Sequence, residues 1–305
     1  MLNTGFSEIT EERAHFKGPG FWYCELALTG ECNFSCKYCN RLRSDIDEYA
    51  VLNFIDKQKA SLRHVQVTGG EPTQSKYLKG ICEFIKRRGI KLGLSTNGSA
   101  PYALYESLGV DMFSISLDDN DLGNLYSRGY KDVHTIINNI RRLAEKTYVN
   151  VGLVVDSLNV DRVEEIIDYI LNLGVHDIKL SINTHDEVSP IFGSRDYSKY
   201  PILSYRISRF KAGKTMRGLG PADTFKCGIS LNDISIVGDS HYPCLVYARE
   251  RGKAIGPMRG DIAGDRRKWY ETHVPLKDSI CSKFCMDFKC DFNRALITQH
   301  TATAS

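Results

Sequence analysis

The chain has 305 residues, with 40 Lys and Arg against 37 Asp and Glu, and its net charge of +3 is too small to imply a nucleic-acid or membrane partner. A composition of 42% hydrophobic and 25% charged residues excludes disorder and suits one large α/β domain with a smaller extension. No apolar run approaches the ~20 residues that span a bilayer, and the polar start MLNTGFSEITEERAHFKGPG has no signal-peptide core, so a cytoplasmic location is expected.

Residues 1–20 read as a flexible leader. FWYCELALTG (21–30) alternates as a strand does, HVQVTGG (64–70) is a second strand, and YLKGICEFIKRRG (77–89) is a helix with Leu78, Ile81, Cys82 and Ile85 on one face. KLGLSTNG (91–98) and DMFSISLD (111–118) are strands around a weaker helix near 100–108. VHTIINNIRRLAEK (133–146) carries Val133, Ile136, Ile137, Ile140 and Leu143 on one stripe. VNVGLVVDS (149–157) is a near-continuous apolar strand of the kind buried on both faces of a parallel sheet. VDRVEEIIDYILNLG (160–174) is a helix with Gly174 at its end, and HDIKLSIN (176–183) is a sixth strand.

Strands and helices alternating over residues 21–184 predict βα repeats and a parallel sheet. Residues 185–224 read as a connection with one helix near 198–211. Residues 225–305 read as a second, smaller α+β module with short strands in ISLNDISIVG and no clean helical repeat before its last stretch.

Ten cysteines in a chain expected in a reducing compartment argue against a disulfide framework. Cys24 and Cys82 lie in phase with apolar neighbours and read as core residues. The others form two groups. Cys32, Cys36 and Cys39 have the spacing CxxxCxxC in the loop after the first strand. Structural zinc closes with four ligands, and no further N or S ligand stands near this set. A cubane iron–sulfur cluster on three thiolates instead leaves one iron open to a substrate or cofactor. A zinc knuckle is the structural alternative.

With that motif the chain resembles the radical S-adenosylmethionine (SAM) superfamily. The resemblance implies a partial (β/α)6 parallel barrel, a 4Fe-4S cluster on Cys32, Cys36 and Cys39, and SAM chelated by the open iron. One-electron reduction would then cleave SAM to methionine and a 5'-deoxyadenosyl radical. Tyr38 fits the aromatic position near the adenine. TGGEP (68–72) ends the second strand as the family's GGE motif does: Gly69 and Gly70 allow close backbone approach, and Glu71 supplies charge for the SAM amino group. Ser95, Thr96 and Asn97 in STNG, and Ser116 and Asp118 in SLD, are implied to face SAM or substrate at the carboxyl ends of their strands. For Asn97 and Asp118, turn capping is the alternative. Val154 matches the place where the family packs adenine, with a core role as its alternative.

The second group is Cys227, Cys244, Cys281, Cys285 and Cys290. CGISLNDISIVGDSHYPC, with a hairpin at Gly238, resembles the opening of the auxiliary-cluster modules called SPASM and twitch. Five cysteines suffice for one fully ligated 4Fe-4S cluster, on Cys227, Cys244, Cys281 and Cys285 with Cys290 competing for the fourth place. A four-cysteine zinc site is the alternative. The histidines show no paired metal spacing.

Together these features imply an enzyme in which a substrate hydrogen is abstracted and an auxiliary cluster accepts an electron, giving oxidation, dehydrogenation or cyclisation. With only about 20 residues before the first strand, a small polar metabolite is the expected substrate. A peptide maturase forming crosslinks and a GTP-cyclase-like nucleotide rearrangement are the alternatives. A reductant such as flavodoxin or ferredoxin is the expected partner. A non-catalytic zinc or iron–sulfur electron-transfer module is the alternative of a different class, and intact Gly69, Gly70 and Glu71 count against it.

Overall fold

A computed structural model describes residues 20–302 apart from 43, 121–126, 131 and 185. Residues 1–19 of the expected leader therefore lie outside the described residues. Six strands and the helices between them follow in order: β1 (Tyr23–Ala27), α1 (Glu48–Gln58), β2 (His64–Thr68), α2 (Leu78–Lys86), β3 (Lys91–Thr96), α3 (Tyr102–Ser107), β4 (Met112–Ser116), α4 (Val133–Ala144), β5 (Tyr148–Val155), α5 (Val163–Leu171) and β6 (Asp177–Ile182). After α6 (Pro201–Lys211) come α7 (Ile229–Asn232), β7 (Asp233–Val237), β8 (Ser240–Tyr242), α8 (Leu245–Arg249), β9 (Gly256–Pro257), α9 (Ile262–Thr272), α10 (Ser279–Phe284) and α11 (Asp287–Ala302).

The sheet order is β6-β5-β4-β3-β2-β1-β7-β8-β9. The first six neighbour pairs, through β1 with β7, are parallel, whereas β7–β8 and β8–β9 are antiparallel. The architecture is thus the expected α/β one with a parallel-dominated sheet, and the sheet is open, with β6 and β9 at its edges. Strand β7, far along the chain, pairs with β1 over its whole length, from Tyr23 opposite Asp233 to Ala27 opposite Val237. The hairpin around Gly238, whose φ of 64° suits glycine in a tight return, extends the same sheet.

Period-two alternation decides what each strand presents to either side. Cys24, Leu26, Val65, Val67, Leu92, Leu94, Phe113, Ile115, Val151, Ile178 and Leu180 enter one core with the buried faces of the helices. Glu25, Gln66, Ser95, Ser114, Gly152 and Lys179 face the other way and line a cavity. β5 therefore departs from its sequence expectation. Its apolar residues meet helices on one side only, and Gly152, Leu153 and Val154 border the cavity.

The predicted stripes of α2, α4 and α5 are all buried, as are Cys24 and Cys82. Five helices escaped the sequence pattern, α1, α7, α8, α9 and α10, and α7 takes Ile229–Asn232 where a strand was expected. α1 starts at Asp47, whose carboxylate accepts from Ala50 N at 3.1 Å, and buries Ala50, Val51, Phe54 and Ile55. α9 buries only Arg266, so it carries no apolar stripe to read. Arg266 acts as a polar strut, donating to Ser230 O and Tyr242 O at 2.8 Å.

A buried ion pair ties the barrel strands to the C-terminal helix. Arg206 Nε of α6 stands 2.8 Å from Asp287 Oδ2 of α11, both side chains being fully buried, and Arg206 Nη1 also donates to Leu180 O of β6 at 2.9 Å. No helix of the described residues is long and apolar enough to cross a membrane.

Candidate active site

The CxxxCxxC loop leaves the carboxyl end of β1 and is held from two sides. Gly70 N donates to Thr29 O and Glu71 N to Glu31 O, both at 2.7 Å, lacing the end of β2 to the start of the loop. Residues 127–130 hold its far side: Ser35 N donates to Arg128 O at 3.2 Å and Lys37 N to Ser127 O at 3.1 Å. Within the loop, Phe34 N donates to Cys32 Sγ at 3.4 Å and Arg41 Nη1 to Cys39 Sγ at 3.8 Å.

Burial pushes the Cys36 thiol up to about 11, with Asp118, Cys39 and Cys32 acting the same way and Arg128 opposing them. Cys32 is raised too, burial again being the largest cause. Thiols that oppose each other's ionisation release their protons most readily to a bound cation. The three sulfurs are not gathered within 4.8 Å of one another. Three thiols without a fourth nitrogen or sulfur ligand in the loop suit a cluster that keeps one iron open better than zinc, which closes on four ligands.

Gly69 and Gly70 are dictated by this packing. A Cβ on Gly69, at φ 136°, would lie 2.5 Å from Thr29 O, and one on Gly70 would lie 2.1 Å from Glu31 O. Glu71 is placed differently from the glycines. It is 1% exposed, and its carboxylate accepts from Thr96 Oγ1 and Asn97 N at 2.7 Å and from Thr73 Oγ1 at 2.8 Å. Burial raises its pKa against those hydrogen bonds, and the side chain braces β2 against β3 instead of lining the cavity.

Asn97 lines the cavity and also caps its turn, its Oδ1 accepting from Ser99 N at 3.0 Å. Its Nδ2 donates to Asn33 Oδ1 at 2.8 Å, inside the cysteine loop. Ser95 lines the cavity and accepts from Gln66 Nε2 at 2.9 Å; Ser116 and Thr96 line it as well. Asp118 is fully buried beneath the wall. It accepts from Tyr38 OH, from Arg128 Nη2 at 2.6 Å and from Val154 N at 3.0 Å, joining the cysteine loop to β4 and β5. Tyr38 faces the cavity above it, 5.7 Å from the Arg128 guanidinium.

Arg128 was not foreseen. It lines the cavity at 5% exposure, and its Nε is buried with no hydrogen-bond partner among the described residues. A lone arginine before Gly129 in a polar stretch carries no sequence mark. Only the pairing of residues 127–130 with the cysteine loop brings it here.

The five later cysteines come together from three stretches of chain. Cys227 precedes α7, Cys244 caps α8 by accepting from Tyr247 N at 3.4 Å, Cys281 lies within α10 and Cys285 follows its last residue. Cys290 of α11 is buried and directs its Sγ to Gly218 O at 3.7 Å. Burial lifts Cys227 to about 12, with Cys244 acting in the same direction. Cys285 is raised first by its hydrogen bond with Cys290, then by burial. His273 joins them unforeseen, its Nε2 lying 3.5 Å from Cys281 Sγ, and with Asp278 these three place ligand atoms within 4.8 Å of one another. No three of the five sulfurs meet that spacing. His241, close by in sequence, is instead buried against Arg266, and burial takes it down to about 3.

One cavity of about 380 Å³ ties these parts together. Cys32, Cys36, Cys39, Tyr38, Gly69, Gly70, Ser95, Asn97 and Ser116 all line it. None of Cys227, Cys244, Cys281, Cys285 and Cys290 does; the neighbouring Leu245, Val246, Arg249, Met286, Phe288 and Lys289 line that part of the wall.

Comparison with known proteins agrees with this geometry. Residues 26–170 match the family model described as the radical SAM superfamily. A probable GTP 3',8-cyclase of Pyrococcus horikoshii is 29% identical over 191 residues, 58% of this chain and 62% of that protein. The chain thus spans about three fifths of the length of such relatives. Among solved structures, Streptococcus suis SuiB bound to precursor peptide SuiA superposes with a TM-score of 0.60 at 14% identity, covering 86% of this chain and 67% of that one. Native anSMEcpe with bound AdoMet and Cp18Cys peptide gives 0.60 at 13%, covering 93% and 98%. At these identities the likeness is one of fold.

Proposed function

Since the chain carries a radical SAM domain, a type that holds a 4Fe-4S cluster and binds SAM, we propose that it is a radical SAM enzyme acting on a small polar substrate by oxidation, dehydrogenation or cyclisation. Cys32, Cys36 and Cys39 would hold the first cluster. Four of Cys227, Cys244, Cys281, Cys285 and Cys290 would hold an auxiliary 4Fe-4S cluster that serves as electron acceptor. Cluster and SAM supply one-electron chemistry: reductive cleavage of SAM and abstraction of a substrate hydrogen atom.

The observation that carries this proposal is the asymmetry of the cavity wall. Three thiols, two glycines without side chains and the polar strand ends face one space, while none of the five C-terminal thiols lines it. A set of thiols that does not line the cavity suits electron transfer better than direct substrate binding. On the open side, Gly69 and Gly70 offer bare backbone, and the Arg128 Nε–H without a partner suits an acceptor such as the SAM carboxylate. Tyr38, fixed by Asp118, supplies an aromatic surface, and Leu153 and Val154 add apolar wall on which an adenine can pack. Residues 21–184 would thus start the reaction and residues 225–305 collect its electron, across the connection at 185–224. A flavodoxin or ferredoxin would feed the first cluster.

Anaerobic reconstitution tests this. Roughly eight irons per chain are expected, with 5'-deoxyadenosine formed from SAM and dithionite; binding of zinc alone, with SAM untouched, would overturn it. A second reading, nucleotide rearrangement, is favoured by the 29% identity to the probable GTP cyclase. SAM-dependent consumption of GTP in the same assay would select it.

A further inference from the structure

Cations from three separate elements converge on the same cavity. Lys179 comes from β6, Arg217 from the segment before α7, and Arg249 from the last position of α8. Arg217 Nη1 donates to Phe284 O at 3.3 Å, while its Nε is buried with no hydrogen-bond partner among the described residues. Arg249 has no side-chain hydrogen bond or ion pair among the described residues.

The carboxylates on these walls are Glu25, Asp233 and Glu250, and Lys289, Lys179 and Arg249 all act on Glu25. Glu25 accepts from Ser235 Oγ at 2.9 Å and lies 4.0 Å from Lys289 Nζ, and Glu250 accepts from Asn40 Nδ2 at 3.5 Å. Burial lowers Lys179 to about 8, Glu25 opposing this and Arg206, Arg249 and Arg217 adding to it. Arg217 is lowered in turn by burial, Arg206 and Arg249. Like charges held toward one poorly solvated space repel, and a bound anion removes that repulsion. Guanidinium groups match carboxylate and phosphate oxygens two at a time.

We infer that Lys179, Arg217 and Arg249 form an oxyanion subsite for the substrate, so that the molecule acted on carries a carboxylate or phosphate group. This rests on the cavity being the substrate chamber of the proposed enzyme. The competing account, that these cations balance the C-terminal thiolates, fits Lys289 better, since Cys244 and Cys227 bear on that side chain. The charged neighbours that act on Lys179 and Arg217 are Glu25, Asp287, Glu250 and other cations.

The anaerobic holoprotein is titrated by calorimetry with tripolyphosphate and with tricarballylate, in the wild type and in R217Q, R249Q and R249K. At least one anion is expected to bind the wild type, with affinity about tenfold or more weaker in R217Q and R249Q and partly restored in R249K. Whichever binds identifies the source, phosphate or carboxylate. R249K keeps the question answerable where a Gln variant loses its fold. The inference falls when neither anion binds, or when Gln variants of wild-type melting temperature bind both as the wild type does. It also falls when these variants lose C-terminal iron with anion binding unchanged. Arginine-dependent anion binding without SAM cleavage would sink the proposed enzyme and leave the subsite standing, whereas cleavage with arginine-independent binding would sink the subsite alone.

Discussion

The two cysteine groups are assembled in opposite ways. Cys32, Cys36 and Cys39 sit on one loop, their closeness is local, and tertiary contacts only aim them into the cavity. Cys227, Cys244, Cys281, Cys285 and Cys290 are drawn together by the fold, and none of them lines the cavity. Thiols on a lone loop can present an open face, whereas thiols converging from several elements enclose what they bind.

The sharpest way to break this contrast is to remove each group. C32A, C36A or C39A is expected to lower SAM cleavage by at least ~10³-fold, since the cluster would lose a ligand. C227A and C244A should retain cleavage and lose substrate turnover. Chromatographic measurement of 5'-deoxyadenosine and product decides it, and equal loss of cleavage in a folded C227A variant would remove the distinction.

Next in size are two buried ion pairs of the same chemistry, one in each region. D118N strips the partner from Arg128 and releases Tyr38, and D287N does the same to Arg206. Each should cost about 3–5 kcal/mol, because a buried charge is left unpaired. Denaturant titration measures that loss. Binding of SAM should separate the two, weakening about tenfold or more in D118N and staying near wild type in D287N. Equal affinities would show that Asp118 stabilises the barrel without shaping its site.

The smallest effect is on pH dependence. Burial raises Asp177, at the start of β6, to about 6, despite hydrogen bonds from Ile202 N and Ile178 N. With the folded pKa above the unfolded value near 3.9, the folded state holds the proton more tightly. The contribution of this group is therefore fully present below about pH 4 and is lost as pH rises through about 6. The melting temperature of D177N should decline less than that of the wild type over this interval. Parallel melting profiles would place that pH dependence elsewhere.

Much of the barrel was legible because its signals are local. Helical stripes such as Val163, Ile166, Ile167 and Ile170 were all buried where the spacing put them. The inward set of β5 was legible only in part, since the apolar string VGLVV gives no sign that Gly152 borders a cavity and only the family resemblance pointed to Val154. Helix α9 was invisible for the opposite reason, burying an arginine where an apolar stripe is the usual mark. In the site, the glycine positions were readable from their motif. The inward turn of Glu71, Asp118 in its clamp, and Arg128 at the cavity all depend on contacts between distant segments.

By itself the sequence determined the spacing of three thiols after a strand, the Gly-Gly pair at the end of the next strand, and the alternation that commits the chain to parallel βα units. These depend on neighbours in the chain, and so on backbone geometry and side-chain period. Only the tertiary structure decided that β7 adds to the edge of β1, that five scattered cysteines meet off the cavity wall, and that Lys179, Arg217 and Arg249 face one cavity. Those outcomes turn on which elements pack together, and the pairing of residues far apart in the chain leaves no periodic trace in either of the segments it joins.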